Sequence, residues 1–324
     1  MNIERRDFFK IISAGVVTAA GIKPALAETR AKLPPDAVGI LYDATLCIGC
    51  KSCEVACKRL NKKPPTNSAI EEKAGIKNAW DASTDLDSNT LNKIKLYRKG
   101  NLAIKDSEDG YSFIKRACMH CIDPDCVSAC PVTALTKDSQ NGIVKYNKNA
   151  CIGCRYCMVA CPYNIPKFEY NKAFPEIVKC EMCAHVQAED GIPGCCEFCP
   201  TGASVFGKVE DLMKEAKMRL NLKPGTRHNF PISTIASKFK TPHVVSKYIN
   251  YVYGEKEGGG TQYIILSAVP FVKLGLPKLS GRSDASVSEN IQHTIYKGMI
   301  GPVVLFGGLI YAAYKTTKNQ NNPE

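Results

Sequence analysis

Cysteine is the residue type whose number and spacing indicate chemistry in this chain. Sixteen of the seventeen cysteines fall into four groups of four. Each group begins with a C-x2-C pair and ends with two cysteines separated by three residues, so only the middle gap varies. The groups are Cys47, Cys50, Cys53 and Cys57; Cys118, Cys121, Cys126 and Cys130; Cys151, Cys154, Cys157 and Cys161; and Cys180, Cys183, Cys195 and Cys199. Thiolates at such spacings are ligands for soft metals.

Three kinds of thiol chemistry fit a cysteine-rich chain, and the spacing separates them. A disulfide framework would leave one of an odd number of cysteines over, and such frameworks belong mainly to small domains without a core. A zinc ion takes two C-x2-C pairs, whereas these cysteines come as quartets with one fixed ending. The quartets resemble the bacterial ferredoxin run, in which three cysteines hold one 4Fe-4S cluster and the fourth ligates another. Four runs predict four 4Fe-4S clusters and sixteen ligands.

Two further residues in the cysteine-rich segments need separate interpretations. Either Cys195 or Cys196 could be the third ligand of the fourth group. Only Cys195 repeats the three-residue separation from Cys199, so we predict that Cys196 is an unligated, buried side chain. His120 lies inside the CMHC segment of the second group. It could tune a cluster, but we predict a packing or surface role for it.

The segments that surround the cysteines predict an α+β fold of two ferredoxin-like units, one inserted in the other. A turn at Asn141-Gly142 and the strand-like IVKY separate the second group from the third. We therefore predict that residues 113–170 form one two-cluster unit. The first and fourth groups would form the equivalent unit around it. Residues 28–112 supply its first half with a polar insertion, and residues 171–207 supply its second half.

In the polar insertion and in residues 208–294 the sequence predicts few helices or strands. KIKLYRK (93–99) in the polar insertion reads as a strand. KVEDLMKEAKMRLNL (208–222) has leucine and methionine at helical spacing and is followed by a Lys-Pro-Gly stop, so it predicts a helix. Many glycines and prolines follow this helix. We therefore predict that residues 208–294 form an extension that wraps around partner subunits.

The N-terminal segment is typical of an export signal. RRDFFK (5–10) is followed by a weakly apolar stretch and then by the small residues ALA (25–27). Twin arginines before such a stretch indicate the twin-arginine export route, and the small residues indicate a cleavage site. We therefore predict a signal peptide over residues 1–27. Proteins exported this way arrive folded, so the thiols can bind metal before they meet an oxidant.

The C-terminal segment is typical of a membrane anchor. Residues 298–314 contain no charged side chain and lie between Lys297 and Lys315. At about 1.5 Å per residue such a helix reaches the short end of a membrane span. We predict a single transmembrane helix over residues 295–315, followed by a tail over residues 316–324. The protein is then expected on the periplasmic side of the inner (cytoplasmic) membrane.

Charge and motif content exclude several functions. The chain has 43 basic and 31 acidic side chains, a formal net charge of +12. The basic residues are scattered, with no arginine-rich helix and no stacking-aromatic motif, so nucleic acid is not an expected partner. Glycine-rich phosphate loops, nucleotide fingerprints and serine-hydrolase elbows are also missing from the sequence. The sequence therefore predicts no catalytic residues, but a chain that carries electrons.

Several segments beyond the cysteine pattern resemble a known family. They are LYDATLCIGC (41–50), CMHCIDPDC (118–126), GCRYCMVACPYN (153–164), YGEKEGGGTQ (253–262) and SENIQHTIYKGM (288–299). Together with RRDFFK they make the chain similar, over essentially its whole length, to the iron–sulfur electron-transfer subunits of hydrogenase 2-type membrane-bound nickel–iron hydrogenases. The cysteine groups alone identify only a wider superfamily, whose members also serve formate dehydrogenases and sulfur-compound reductases.

The resemblance implies a crossed arrangement of ligands, in which the first and fourth groups exchange their last cysteines, as do the second and third. The implied sets are Cys47, Cys50, Cys53 and Cys199; Cys180, Cys183, Cys195 and Cys57; Cys118, Cys121, Cys126 and Cys161; and Cys151, Cys154, Cys157 and Cys130.

The same resemblance implies a place in a complex. Electrons would pass between the small subunit of a hydrogenase, bound to its large subunit, and a multi-pass, quinone-binding membrane subunit. One alternative is the same relay in a formate dehydrogenase or sulfur-compound reductase complex. Another is a free-standing iron–sulfur enzyme or sensor. An open catalytic cluster should lack one thiolate ligand, and here every quartet is complete.

Overall fold

The computed structural model describes residues 32–64, 85–100, 103–289, 305–315 and 317. One compact unit, Arg30–Ala285, contains all seventeen cysteines. The signal peptide predicted over residues 1–27 lies outside the described residues. Of the anchor predicted over residues 295–315, only 305–315 are described, and they are helical and exposed. In the part of the chain that the structure describes, no helix is both long enough and apolar enough to cross a membrane.

The compact unit mixes short helices with short strands, which confirms the predicted combination of the two. The helices are α1 (Ser52–Leu60), α2 (Asp125–Ser128), α3 (Tyr156–Ala160), α4 (Ala184–Gln187), α5 (Gly194–Glu197) and α6 (Val209–Leu220). The strands are β1 (Val38–Asp43), β2 (Lys93–Arg98), β3 (Tyr111–Arg116), β4 (Leu135–Lys137), β5 (Val144–Tyr146), β6 (Lys167–Phe168), β7 (Ile177–Val178), β8 (Ser204–Lys208), β9 (Arg227–Pro231), β10 (Ser233–Thr234), β11 (Lys240–Val244) and β12 (Tyr263–Leu266). The third cysteine of each group lies in a helix, namely Cys53, Cys126, Cys157 and Cys195.

A four-stranded sheet with the order β10-β8-β1-β12 forms the centre of the unit. β1 runs antiparallel to β8, with Leu41 opposite Val205, and parallel to β12, with Leu41 opposite Ile264. All three of these side chains are fully buried. The sequences VGILYD and YIIL are nearly continuous apolar runs, as expected for strands covered on both faces.

Strand β12 places part of the C-terminal extension in the core of the unit. That the extension, residues 208–294, wraps around partner subunits stays a prediction, but Tyr263–Leu266 completes the central sheet and is buried throughout. A run of four apolar residues is too short to show a strand's alternation, and a strand covered on both faces does not alternate. Its pairing with β1, more than 200 positions away, is a tertiary contact that local sequence does not report.

The unit also has four two-stranded antiparallel sheets: the hairpins β2–β3, β4–β5 and β6–β7, and the pair β9 and β11, which β10 separates in sequence. The strand predicted over residues 93–99 is β2, and the strand-like IVKY contains β5. The helix predicted over residues 208–222 is α6. These three local predictions are confirmed. The hairpins matter to the site because β3 leads directly into the second cysteine group, and the β4–β5 pair joins it to the third.

Candidate metal centres

The first C-x2-C loop shows how local sequence curls the backbone around a sulfur atom. In the sequence CIGCK, Gly49 and Lys51 both have left-handed backbones, with φ of +69° and +60°. Glycine adopts this region without steric cost. The curl directs the N–H of Gly49 at the sulfur of Cys47, 3.4 Å away. CIGCR in the third group repeats it, with the N–H of Gly153 3.4 Å from the sulfur of Cys151. Such N–H groups favour an electron-rich sulfur.

Helices α1 and α5 bring cysteines of the first and fourth groups together. Cys57 lies near the end of α1, and α5 begins at Gly194. A Cβ atom on Gly194 would lie 2.4 Å from Cδ1 of Leu60, so the glycine permits the close approach of the two helices. A cavity lies beside them, and the cysteines that line it are Cys57, Cys180, Cys183, Cys195 and Cys118. The first four are the second of the implied ligand sets, called the Cys57 set below.

Two further cavities are each lined by four cysteines. One is lined by Cys47, Cys50, Cys53 and Cys199, called the Cys47 set. The other is lined by Cys130, Cys151, Cys154 and Cys157, called the Cys151 set. In both, three cysteines come from one sequence group and the fourth from another. The structure therefore brings together the same residues that the crossed arrangement groups.

The remaining implied set is Cys118, Cys121, Cys126 and Cys161, called the Cys118 set. Burial, reinforced by the neighbouring thiols of Cys118, Cys161 and Cys126, raises the pKa of Cys121 well above its ordinary value. The four side chains are therefore close neighbours; Cys118 and Cys126 are buried, and Cys121 and Cys161 are partly buried. Neutral thiols are favoured at such a place, so a thiolate there requires a metal ion's positive charge.

Contacts between the sets indicate their order. Burial and the nearby thiol of Cys195, opposed by Lys115, raise the pKa of Cys53, so the Cys47 and Cys57 sets are neighbours. Cys118 lines the cavity of the Cys57 set. Burial, the thiols of its own set and Cys157 raise the pKa of Cys126, which makes the Cys118 and Cys151 sets neighbours. The four sets therefore follow one another in the order Cys47, Cys57, Cys118 and Cys151.

Unpaired polar atoms test whether a cluster fits. Among the described residues, five buried side chains have a nitrogen or oxygen atom without a hydrogen-bond partner. Three of them, Asn92, His120 and Tyr263, line the cavity of the Cys57 set. Buried polar groups are ordinarily paired, so a concentration of unpaired ones around four thiols fits a cavity built for a polar group. Nε2 of His120 and the hydroxyl of Tyr263 can donate hydrogen bonds to the inorganic sulfides of a 4Fe-4S cluster there, whereas Oδ1 of Asn92 can only accept.

Comparisons with known proteins agree with this chemistry. Residues 110–209 match the model of the 4Fe-4S dicluster domain. The chain is 45% identical to the hydrogenase-2 operon protein HybA of Escherichia coli O157:H7, over 99% of this chain and 98% of that protein. The chain belongs to the HybA family. The predicted resemblance and the prediction of 4Fe-4S clusters are thereby confirmed, whereas the number of four clusters and the crossed ligand sets stay predictions.

More distant relatives are similar to this HybA-family chain over most of its length. The formate dehydrogenase iron-sulfur subunit of Haemophilus influenzae is 29% identical over 96% of this chain and 87% of that subunit. Protein NrfC of Escherichia coli is 29% identical over 75% of this chain and 96% of its own length. The wider superfamily that the cysteine groups predicted therefore includes iron–sulfur subunits of other enzymes.

Lys115 of this HybA-family chain is a buried cation beside the cysteine cavities that sequence reasoning missed. It is fully buried, and its Nζ donates a hydrogen bond to Oγ of Ser204 at 2.9 Å. Lys115 lines the cavity of the Cys57 set and Ser204 that of the Cys47 set, so a cation lies in the wall between them. It can balance the negative charge of two thiolate-ligated clusters. The sequence feature that could have indicated this role is a lysine directly after the apolar residues Phe113 and Ile114, just before the second cysteine group.

Cys196 and His120 are both buried in this HybA-family chain. Cys196 is fully buried, and Cys195 rather than Cys196 lines the cavity of the Cys57 set; its lack of ligation stays a prediction. His120 is 1% exposed, so a surface role for it is wrong. Burial, with Lys179 and Lys137 nearby, holds the pKa of His120 well below its usual range. The imidazole is therefore a neutral, interior side chain.

Proposed function

We propose that this chain is the electron-transfer subunit of a membrane-bound nickel–iron hydrogenase, without catalytic residues of its own. It would relay electrons between the hydrogenase small subunit, bound to its large subunit, and a multi-pass, quinone-binding membrane subunit. The observation that carries this proposal is the 45% identity, over nearly the full length of both chains, to a protein named for the hydrogenase-2 operon. The row of four cysteine sets supports it, because a relay needs neighbouring carriers.

We propose that the four crossed ligand sets each hold one 4Fe-4S cluster. A bound 4Fe-4S cluster supplies a one-electron carrier. The chain's own residues place neighbouring sites in contact and shield the inner ones from water. Cys57, Cys183 and Cys195 of the second site are buried, whereas Cys50 at one end of the row is exposed. Ile48 beside the first site and Ile152 beside the last are both more than half exposed, which suits contact with partner subunits at the two ends.

The composition of the complex tests the function. We expect an affinity-tagged chain, isolated from membranes in mild detergent, to bring down a complex that contains nickel and reduces quinone with hydrogen. The isolated chain should contain iron and show no hydrogen turnover. The 29% identity to a formate dehydrogenase iron-sulfur subunit makes the same relay in that kind of complex the second candidate. Molybdenum in place of nickel would favour it, and turnover by the chain alone would indicate a free-standing enzyme.

Export and anchoring belong to the same proposal. The twin-arginine segment would direct the folded chain out of the cytoplasm, and residues 295–315 would attach it to the inner membrane. The uncharged run 298–314 supports the anchor. A chain that ends at residue 294 is expected to remain exported but to lose direct attachment, so alkaline washing should release it from membranes that retain the full-length chain. Retention of the shortened chain in washed membranes that lack its partners would contradict the anchor.

A further inference from the structure

His120 is held rigidly at the cavity of the Cys57 set. Its backbone is left-handed, with φ of +46°. The N–H of Gln262 donates to its carbonyl oxygen at 3.2 Å, and the N–H of Val144 donates to its Nδ1 at 3.1 Å. Gln262 adjoins β12 and Val144 begins β5, so two elements of the core fix both the backbone and the ring. The imidazole therefore has one orientation.

The hydrogen bond from Val144 also determines where the imidazole proton lies. A nitrogen that accepts an N–H must carry a lone pair, so Nδ1 is unprotonated and the proton of the neutral ring is on Nε2. Nε2 is buried and has no hydrogen-bond partner among the described residues. His120 lines the same cavity as the Cys57 set. A donor with a defined proton and no acceptor in the described part of the chain thus lies at the wall of a site for a sulfur-rich cofactor.

We propose that His120 donates Nε2–H to a sulfur atom of the cluster held by the Cys57 set and thereby raises the reduction potential of that cluster. This inference rests on the proposed occupancy of the cavity. When an electron passes from the cluster of a neighbouring set, that cluster is oxidised by one electron and this one is reduced by one. The added negative charge strengthens a hydrogen bond from a fixed donor, so the donor stabilises the reduced form more than the oxidised form. The proton stays on His120 throughout.

Two substitutions separate the hydrogen-bond donor Nε2–H from the acceptor Nδ1, which holds the ring through Val144. His120→Asn can place its Oδ1 near the position of Nδ1, where it accepts from Val144, and asparagine tolerates a left-handed backbone. It has no group at the position of Nε2. His120→Gln can place an amide N–H near that position and so restores the donor. His228→Gln is the matched control, because His228 packs against Phe230 and lines none of the three cysteine cavities.

The measurement is a redox titration of the anaerobic, cluster-loaded protein, followed by electron paramagnetic resonance. The signal of the Cys57 set is identified by its loss in Cys57→Ala. For His120→Asn we expect the reduction equilibrium constant of this cluster to fall about tenfold, a potential lower by about 59 mV for one electron. His120→Gln should recover most of the difference, and His228→Gln should cause none. Unchanged potentials in His120→Asn, equal falls in both His120 variants, or a fall confined to the Cys118 set would overturn the proposal.

A second readout does not depend on the folding of the His120 variants. With ¹⁵N-labelled histidine, pulsed electron paramagnetic resonance of the unsubstituted protein should detect a nitrogen coupled to the cluster of the Cys57 set. Absence of this coupling overturns the role of His120, even if both variants fail to assemble. Failure of the proposed occupancy is distinguishable from failure of this inference. An unoccupied cavity would appear as iron missing from the chain, whereas a wrong role for His120 would appear as a cluster without a coupled nitrogen.

Discussion

A Cys57→Ala chain is expected to bind about twelve irons instead of about sixteen and to lose the cluster of the Cys57 set. Cys57 belongs to the first cysteine group in sequence, but it lines the cavity of the fourth group. The missing ligand therefore affects a cluster whose other three ligands lie more than 120 positions away. The Cys47 set retains all four of its thiols and should keep its cluster. Iron analysis and electron paramagnetic resonance of the reduced protein measure both outcomes.

The functional consequence of Cys57→Ala follows from the order of the sets. The Cys57 set lies between the Cys47 and Cys118 sets, so its loss interrupts the row in its interior rather than at an end. Quinone reduction by hydrogen should fall to the level of membranes that lack the chain. Reduction of an artificial acceptor by the hydrogenase subunits should be unaffected, because it does not use the relay.

Cys196→Ala is the matched control for Cys57→Ala. Both changes remove one buried thiol, and Cys196 is fully buried beside Cys195 but does not line the cavity. The control should retain about sixteen irons. A loss of iron from Cys196→Ala would assign the third ligand of the fourth group to Cys196. A loss of the Cys47-set signal in Cys57→Ala would contradict the crossed ligation.

The parts of the site that could be predicted are those encoded locally. A C-x2-C loop needs only its own residues, since Gly49 and Gly153 supply the left-handed turns that direct N–H groups at Cys47 and Cys151. The spacing of the quartets follows from this local geometry. Helix α6 was equally predictable, because its leucines and methionines repeat at helical spacing.

Residues that face the site from elsewhere in the fold could not be predicted. Lys115 reaches Ser204 across 89 positions, and the burial of His120 depends on its contacts with Val144 and Gln262. A lysine in a strand or a histidine in a cysteine loop has no periodicity that reports such a partner. The proximity of these residues to the cavity of the Cys57 set arises only in the tertiary structure.

Arg219 and Asp43 form a fully buried ion pair beneath the first cysteine loop. Nη1 of Arg219 lies 3.0 Å from Oδ2 of Asp43, and the guanidinium stacks over the ring of Phe230, 4.7 Å from its centre. Asp43 ends β1 and accepts hydrogen bonds from the N–H and hydroxyl of Thr45, two residues before Cys47, and from the hydroxyl of Tyr248. The pair therefore fixes the turn that leads into the Cys47 set.

Removal of the guanidinium should destabilise the protein strongly. Arg219→Met retains much of the apolar volume but leaves Asp43 buried without its counter-charge. Breaking a buried pair in this way costs about 3–5 kcal/mol of the free energy of unfolding, because the remaining charge is uncompensated. The measurement is the midpoint of unfolding of the cluster-loaded protein in guanidinium chloride. Unfolding is followed by the absorbance of the clusters in the absence of oxygen. We expect a clear fall in this midpoint, and a Cys47-set signal that is lost before the others.

Two comparisons decide whether the uncompensated charge causes the effect. Lys217 lies on the same helix as Arg219, and Lys217→Met breaks its ion pair with Glu255; both side chains are at least partly exposed, so the expected cost is about 0–1 kcal/mol. A double substitution, Asp43→Asn with Arg219→Met, removes both charges and should recover part of the lost midpoint, since the desolvation cost of the aspartate disappears. If the double variant is as unstable as Arg219→Met alone, the loss comes from packing against Phe230 or from Glu215, whose Oε1 lies 2.9 Å from Nε of Arg219 and loses this partner in both variants. If Arg219→Met behaves like Lys217→Met, the pair does not stabilise the turn before Cys47.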